Sequence, residues 1–242
     1  MNDTVVSQLA PTGTLRAGIN MANILLVTGK TASGDPEGPG PGFAAAIAER
    51  LGVPVSYVPF PTPGEVADAV EDGFWDIGLI GAEPSRAEKI DFTAAYVEIE
   101  ATYMVPEGSP FRTVEEVDSP GTRIAVSGRS AYDLYLSRTL QNAELVRAKG
   151  LPGAQELFVN EKLDALAGLR PAMTDALPDI PGARILDGRF TAVQQAVGVA
   201  KGKAEALAFL CDFVEEAKAS GLVASLIDKY GVTGRLAVAQ PA

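Results

Sequence analysis

Gly73-Phe74-Trp75-Asp76-Ile77-Gly78-Leu79-Ile80-Gly81, followed by Glu83-Pro84-Ser85-Arg86 and the extended run that starts at Tyr96, is the stretch on which the fold turns. Asp76 to Gly81 reads as a buried strand, since it is a short apolar run bounded by glycine. Before it, Pro63-Gly64 opens a helix that carries Val66, Ala69 and Val70 and stops near Gly73. Further back, Val53 to Val58 is a strand. Phe43 to Leu51 is a helix with Phe43, Ile47 and Leu51 at helical spacing, stopped by Gly52. Leu15 to Ile19 is a strand after the turn at Pro11-Thr12-Gly13. Between Ile24-Leu25-Leu26-Val27 and the first helix, the Gly- and Pro-dense stretch from Gly29 to Gly42 reads as loop. The alternation predicts a largely parallel sheet with helices on its faces.

After Asp76 to Gly81 the grammar pauses. Tyr96 to Val105 is one long extended run, and the pattern then resumes. Arg123 to Val126 is a strand and Ser130 to Leu140 a helix. Pro152 to Asn160 is a short helix before the strand Leu163 to Ala167. Ile185-Leu186 and Val197 to Ala200 are short strands, and the chain ends in helices over Ala204 to Ala217 and Leu222 to Tyr230. Two units of similar size result. Residues after about Thr191 return to the first, and open sheets of this kind take ligands beyond the C-terminal ends of their strands.

Composition removes many functions. The 242 residues include 20 basic and 31 acidic ones, for a net charge of −11, which disfavours nucleic acid and anionic membranes. There is no histidine, so Ser-His-Asp and Cys-His catalysis and His-ligated zinc are excluded. One cysteine, Cys211, permits neither an intrachain disulfide nor a CxxC motif. With Leu207, Leu210, Val214 and Ala217 at helical spacing, it reads as a buried apolar residue. Gly29-Lys30-Thr31 imitates the tail of a P-loop, but the earlier glycine would fall at Ile24. No apolar run approaches the ~20 residues of a membrane span. The segment before Arg16 has neither a basic nor an apolar region of a leader.

Four segments together resemble the type II periplasmic solute-binding proteins, in particular the amino-acid-binding family 3 of ABC importers. Leu15 to Asn20 is similar to the family's opening strand. Gly73 to Ile77, with Glu83-Pro84-Ser85-Arg86 through Asp91-Phe92-Thr93 and Tyr96, is similar to its G-x-x-D-I…T-P-x-R-x-x-x-x-D-F-S…Y signature. Leu163 to Pro171 resembles its D-A-V-x-G-D-R-P element, and Glu215 to Gly231 its closing helix. The resemblance implies an α/β, two-lobed periplasmic-binding-protein type II fold with a hinge and an interlobe cleft. Lobe 1 would be discontinuous, 1–97 plus 195–242, and lobe 2 would be 98–194.

The resemblance also implies a site. Its carboxylate anchor maps to Arg86, whose guanidinium fork matches a carboxylate; an exposed helix arginine near Glu83 and Glu88 is the other reading. Ser130 maps to a hydroxyl at a helix start, where amides favour an anion. It also forms a capping pair with Asp133. Arg129 is either a second cation or a solvated loop residue. Asn20 and Asn23 fall where the family places ligand-contacting loops, although turn chemistry also explains them. Phe60, Tyr96 and Tyr132 are cleft-wall candidates, while Trp75 reads as core. Leu169 stands where the family has the aspartate that binds the α-ammonium, and a leucine cannot pair it. Glu83 is a substitute cation partner or a helix-start acid.

The expected activity is therefore non-catalytic closure on a small carboxylate-containing ligand for ABC-type uptake, with no cofactor and no metal. The expected partners are a small anionic or amino-acid-like solute and an ABC permease, not nucleic acid, and the expected state is a monomer. The alternative is a cyclohexadienyl-dehydratase-like enzyme on the same fold, with Glu83, Glu98 or Glu100 as the acid. The resemblance implies a periplasmic location; the chain as it stands, if complete, implies the cytoplasm.

Overall fold

A computed structural model describes residues 3–242. Described residues through Glu98, together with Gln194–Ala242, form one compact unit, and Ile99–Val193 form another. The first unit contains α1 (Asp3–Leu9), β1 (Leu15–Asn20), a small hairpin of β2 (Gly29–Lys30) and β3 (Pro36–Glu37), α2 (Pro39–Leu51), β4 (Val55–Phe60), α3 (Pro63–Asp68) and β5 (Ile77–Gly81). The long strand β6 (Ile90–Pro106) leaves this unit and continues into the second. There follow β7 (Arg123–Ser127), α4 (Ala131–Thr139), β8 (Glu144–Ala148), α5 (Gly150–Asn160), β9 (Ala165–Leu169), α6 (Arg170–Ala176) and β10 (Ala183–Ile185). The chain returns along β11 (Thr191–Ala200) to α7 (Ala204–Ala219), α8 (Leu222–Lys229) and β12 (Ala237–Val238).

Within the first unit β1 pairs in parallel with β4 and β5, and β5 pairs antiparallel with β11. In the second unit β7 lies parallel between β8 and β9, and β9 runs antiparallel to the second half of β6. The long strands therefore break the parallel rule expected from βα alternation, because a strand that leads out of a unit and one that leads back must run in opposite directions.

β5 is buried along its whole length, as its apolar sequence requires. Trp75 packs on the glycine faces of β1 and β5. A Cβ on Gly18 would meet its ring at 2.9 Å, so only a residue without a side chain fits there. The indole donates to the Val66 carbonyl at 2.8 Å, which satisfies its one polar atom in the core. At the N-terminal end of the same strands, next to Trp75, buried Asp76 accepts from the Arg16 backbone amide (2.9 Å) and from its guanidinium at 2.9 and 2.7 Å. The second unit has its own core, around Tyr103, Val105, Ile124, Val126, Leu136 and Ala167.

Several elements differ from the sequence reading. Helix α2 begins at Pro39, inside the stretch read as loop. First-turn amides need no intrahelical partner, so two prolines cost the helix little there, and the chain packs these residues against Leu26. Gly38, at φ 150°, makes the approach: a Cβ would lie 2.3 Å from the Leu26 carbonyl oxygen. Helix α3 stops at Asp68 and continues as turns, and the strand expected at Val53 starts at Val55, because the Val53 amide donates to the end of α2. Helices α1 and α6 and strand β8 were not expected at all. The last of these alternates little and is half exposed, so its apolar signal is weak. Cys211 is partly exposed rather than buried.

Candidate functional site

In each unit the candidate residues leave the sheet at the C-terminal ends of parallel strands. β1 ends at Asn20 and β5 at Gly81, with Ile19 opposite Leu79, so the loops carrying Asn20, Asn23, Glu83 and Arg86 come off one edge of the first unit. β7 ends at Ser127, with β8 ending opposite at Ala148 and β9 ending at Leu169. Arg129, Ser130 and Leu169 thus share one edge of the second unit.

Arg86 is 5% exposed, which excludes the exposed helix arginine. It lies in a turn: its amide donates to the Glu83 carbonyl at 2.9 Å, and its own carbonyl accepts from Ile90 at 3.0 Å. One guanidinium nitrogen donates to the Gly81 carbonyl at 2.7 Å, fixing the fork beside the end of β5. A buried guanidinium is costly to desolvate unless hydrogen-bonded, so such a position restricts where it points. Glu83 is buried on the same turn, three residues earlier.

Asn23 shows turn chemistry. It is buried, and its side-chain oxygen accepts from the amides of Leu25 (3.2 Å) and Leu26 (3.3 Å). Asn20 likewise accepts from Ala22 at 3.1 Å. Tyr96 was expected on a wall, and instead is buried in the first unit with its ring stacked on Phe43 at 4.5 Å. Tyr132 is also buried, in the core of the second unit, and Phe60 packs beside the Trp75 cluster. Residue type alone points these aromatics to walls, and type does not distinguish a wall from a core.

Ser130 is the N-cap of α4, its hydroxyl accepting from the Asp133 amide at 3.1 Å. The reciprocal arm of the expected capping box is displaced by one residue: the Asp133 carboxylate accepts from the Arg129 amide at 2.7 Å. Asp133 is buried and also takes the Arg147 guanidinium at 3.0 Å. This holds exposed Arg129 in the left-handed region, φ 62°, which non-glycine residues rarely occupy. Burial raises the pKa of the Tyr132 hydroxyl, and hydrogen bonds with the Ser130 and Ser127 hydroxyls partly offset this. The Ser130–Asp133 spacing points to Asp133 in the sequence, whereas no local signal points to Arg147 or Ser127.

Leu169 ends β9 opposite Ala101 and packs against the second unit's core. The carboxylate next to it in register is Glu100, which pairs with Arg170 at 3.0 Å and Arg189 at 3.7 Å. Arg170 also donates to the carbonyls of Leu186 and Gly188. Among the described residues, no group of three or more acidic, cysteine or histidine side chains is placed to hold a metal. No described helix is long and apolar enough to cross a membrane.

A family model described as bacterial extracellular solute-binding proteins, family 3, matches residues 17–233. No curated protein matches the chain in sequence. Among solved structures, a mutant of ArgBP from T. maritima is 21% identical, with a TM-score of 0.74, covering 94% of this chain and 99% of that one. An ancestral amino-acid-binding protein, AncCDT-1, described as a precursor of cyclohexadienyl dehydratase, is 23% identical, with a TM-score of 0.74 and coverage of 93% and 98%. An amino acid ABC transporter substrate-binding protein from Streptococcus pneumoniae, bound to L-arginine, is 18% identical, with a TM-score of 0.74 and coverage of 93% and 97%. At these identities the likeness is one of fold.

Proposed function

The chain belongs to the bacterial extracellular solute-binding proteins of family 3, and from that premise we propose that it captures a small carboxylate-bearing solute and passes it, as a monomer, to an ABC-type permease. The observation that carries the reading is buried Arg86, held at the end of β5 by the Gly81 carbonyl. A planar fork fixed in this way suits a carboxylate in two hydrogen bonds. The solute-facing role of Ser130 and Arg129 is part of the same proposal, because both leave the sheet beyond β7.

The solute we propose has no α-ammonium recognised by the second unit. Leu169 offers no charge, Glu100 is already engaged by two arginines, and Asp133 by Arg147. An unpaired buried ammonium costs a few kcal/mol, about two decades of affinity. The test is a thermal-shift screen of the twenty amino acids beside mono- and dicarboxylates, followed by calorimetry on the hits. Carboxylates without an α-amino group are expected to lead. Sub-micromolar binding of a common α-amino acid would refute this, and Glu83→Gln would then show whether that buried carboxylate takes the ammonium.

A second reading is supported by Glu83, which is buried on the turn that carries Arg86, and by the fold likeness to a dehydratase precursor. It assigns Glu83 as a general acid beside a carboxylate held by Arg86. Turnover of a cyclohexadienyl acid, abolished in Glu83→Gln, would establish it; saturable binding without turnover favours the receptor.

A further inference from the structure

Beneath the strand ends of the first unit lies a cavity of about 10 Å³, lined by Ile19, Asn20, Asn23, Leu26, Leu79 and Tyr96 among others. Its volume is close to the least that holds one water. Tyr96 is 1% exposed, and its hydroxyl has no hydrogen-bond partner in the protein. The ring has no freedom to turn the hydroxyl elsewhere, because it is stacked on Phe43, which in turn meets Phe213 edge-on at 5.5 Å. A buried hydroxyl without a partner is destabilising, and buried polar groups in folded proteins are almost always paired.

We propose that this cavity is a binding site for a single water molecule, which accepts a hydrogen bond from the Tyr96 hydroxyl and ties β6 to the loop that follows β1. The loop supplies the other polar groups that such a water needs. The side-chain oxygens of Asn20 and Asn23 are committed to the amides of Ala22, Leu25 and Leu26. That orientation leaves the NH2 end of each side chain as the donor it presents elsewhere. A water with partners of this kind makes the two to four bonds found for buried waters. The site does not depend on the identity of the solute. Its consequence reaches the solute-binding edge, because Asn20 and Asn23 begin the loop there.

The experiment is a crystal structure of the solute-free protein, compared with Tyr96→Phe, which keeps the ring and its stacking. In the wild type a water is expected within hydrogen-bond distance of the Tyr96 hydroxyl, and in the variant it is lost. The melting temperature should fall by about 2–4 °C, as when one buried hydrogen bond is removed from a domain this size. Exchange of the Leu25 and Leu26 amides should quicken. A dry cavity, or a variant that melts at the same or a higher temperature, would overturn the site, since deleting an orphaned hydroxyl relieves a penalty. Unchanged exchange of those two amides would overturn its hold on the loop.

Discussion

Arg86 is a buried cation whose loss has two separable consequences. Arg86→Ala removes the carboxylate fork, and affinity for the leading solute in calorimetry should fall by roughly 2–5 kcal/mol. It also leaves the Gly81 carbonyl without its donor, so the solute-free protein should lose about 1–3 kcal/mol in urea unfolding. Unchanged affinity would remove Arg86 from the site. The residue was legible from its motif, because a guanidinium three positions after Glu83 and before a Lys-Ile-Asp-Phe run is a local pattern. Its burial was not, since the turn that buries it is closed by the carbonyl of a preceding strand. Tyr96 shows the reverse: its aromatic type suggests a wall, yet its ring stacks on Phe43, 53 positions away in sequence, which in turn meets Phe213. The sequence allows Asn23 either a ligand-contacting loop or a turn, and its hydrogen bonds are those of a turn.

At the scale of elements, Asp118 ties the connection between β6 and β7 to the loop between α4 and β8. Its carboxylate accepts from the amides of Gln141 (3.0 Å), Asn142 (2.8 Å) and Ala143 (2.9 Å). Burial alone would raise its pKa, and the three amides override that and lower it. A lowered folded-state pKa contributes stability that is present above the unfolded value of about 3.9 and is lost as pH falls through the folded one. Asp118→Asn should therefore be less stable at pH 6. It should also show a smaller drop in urea midpoint between pH 6 and pH 3 than the wild type; an equal drop would remove this carboxylate from acid unfolding. Elements with strong local signals were legible: buried β5, the Ser130 cap of α4, and Phe43 to Leu51 of α2. The first turn of α2 was not, because Pro and Gly suggest a loop unless tertiary packing supplies the helix start. Nor was β8, whose half-exposed residues form a strand only because β7 offers a parallel edge.

For the whole molecule, a solute that binds only the folded chain must stabilise it by mass action. At a concentration 100 times its dissociation constant the gain is about 2.7 kcal/mol, which for a chain of this size raises Tm by roughly 5–11 °C. A calorimetric hit that leaves Tm unchanged at that excess would not be a ligand of the native fold. The sequence by itself determined the α/β class, the family, the absence of histidine chemistry and the place of Arg86, because these rest on composition, periodicity and short motifs that neighbouring residues carry together. Only the tertiary structure decided that β6 and β11 run antiparallel to their sheet neighbours, that Tyr96 is core, that Asp133 and Arg147 hold Arg129 in place, and that Glu100 is occupied by Arg170 and Arg189. The strand directions, the Tyr96 stacking and the Glu100 pairs bring together groups far apart in sequence, and the Arg129 geometry needs Arg147 from the neighbouring strand beside Asp133; such contacts follow from packing, which no local pattern encodes.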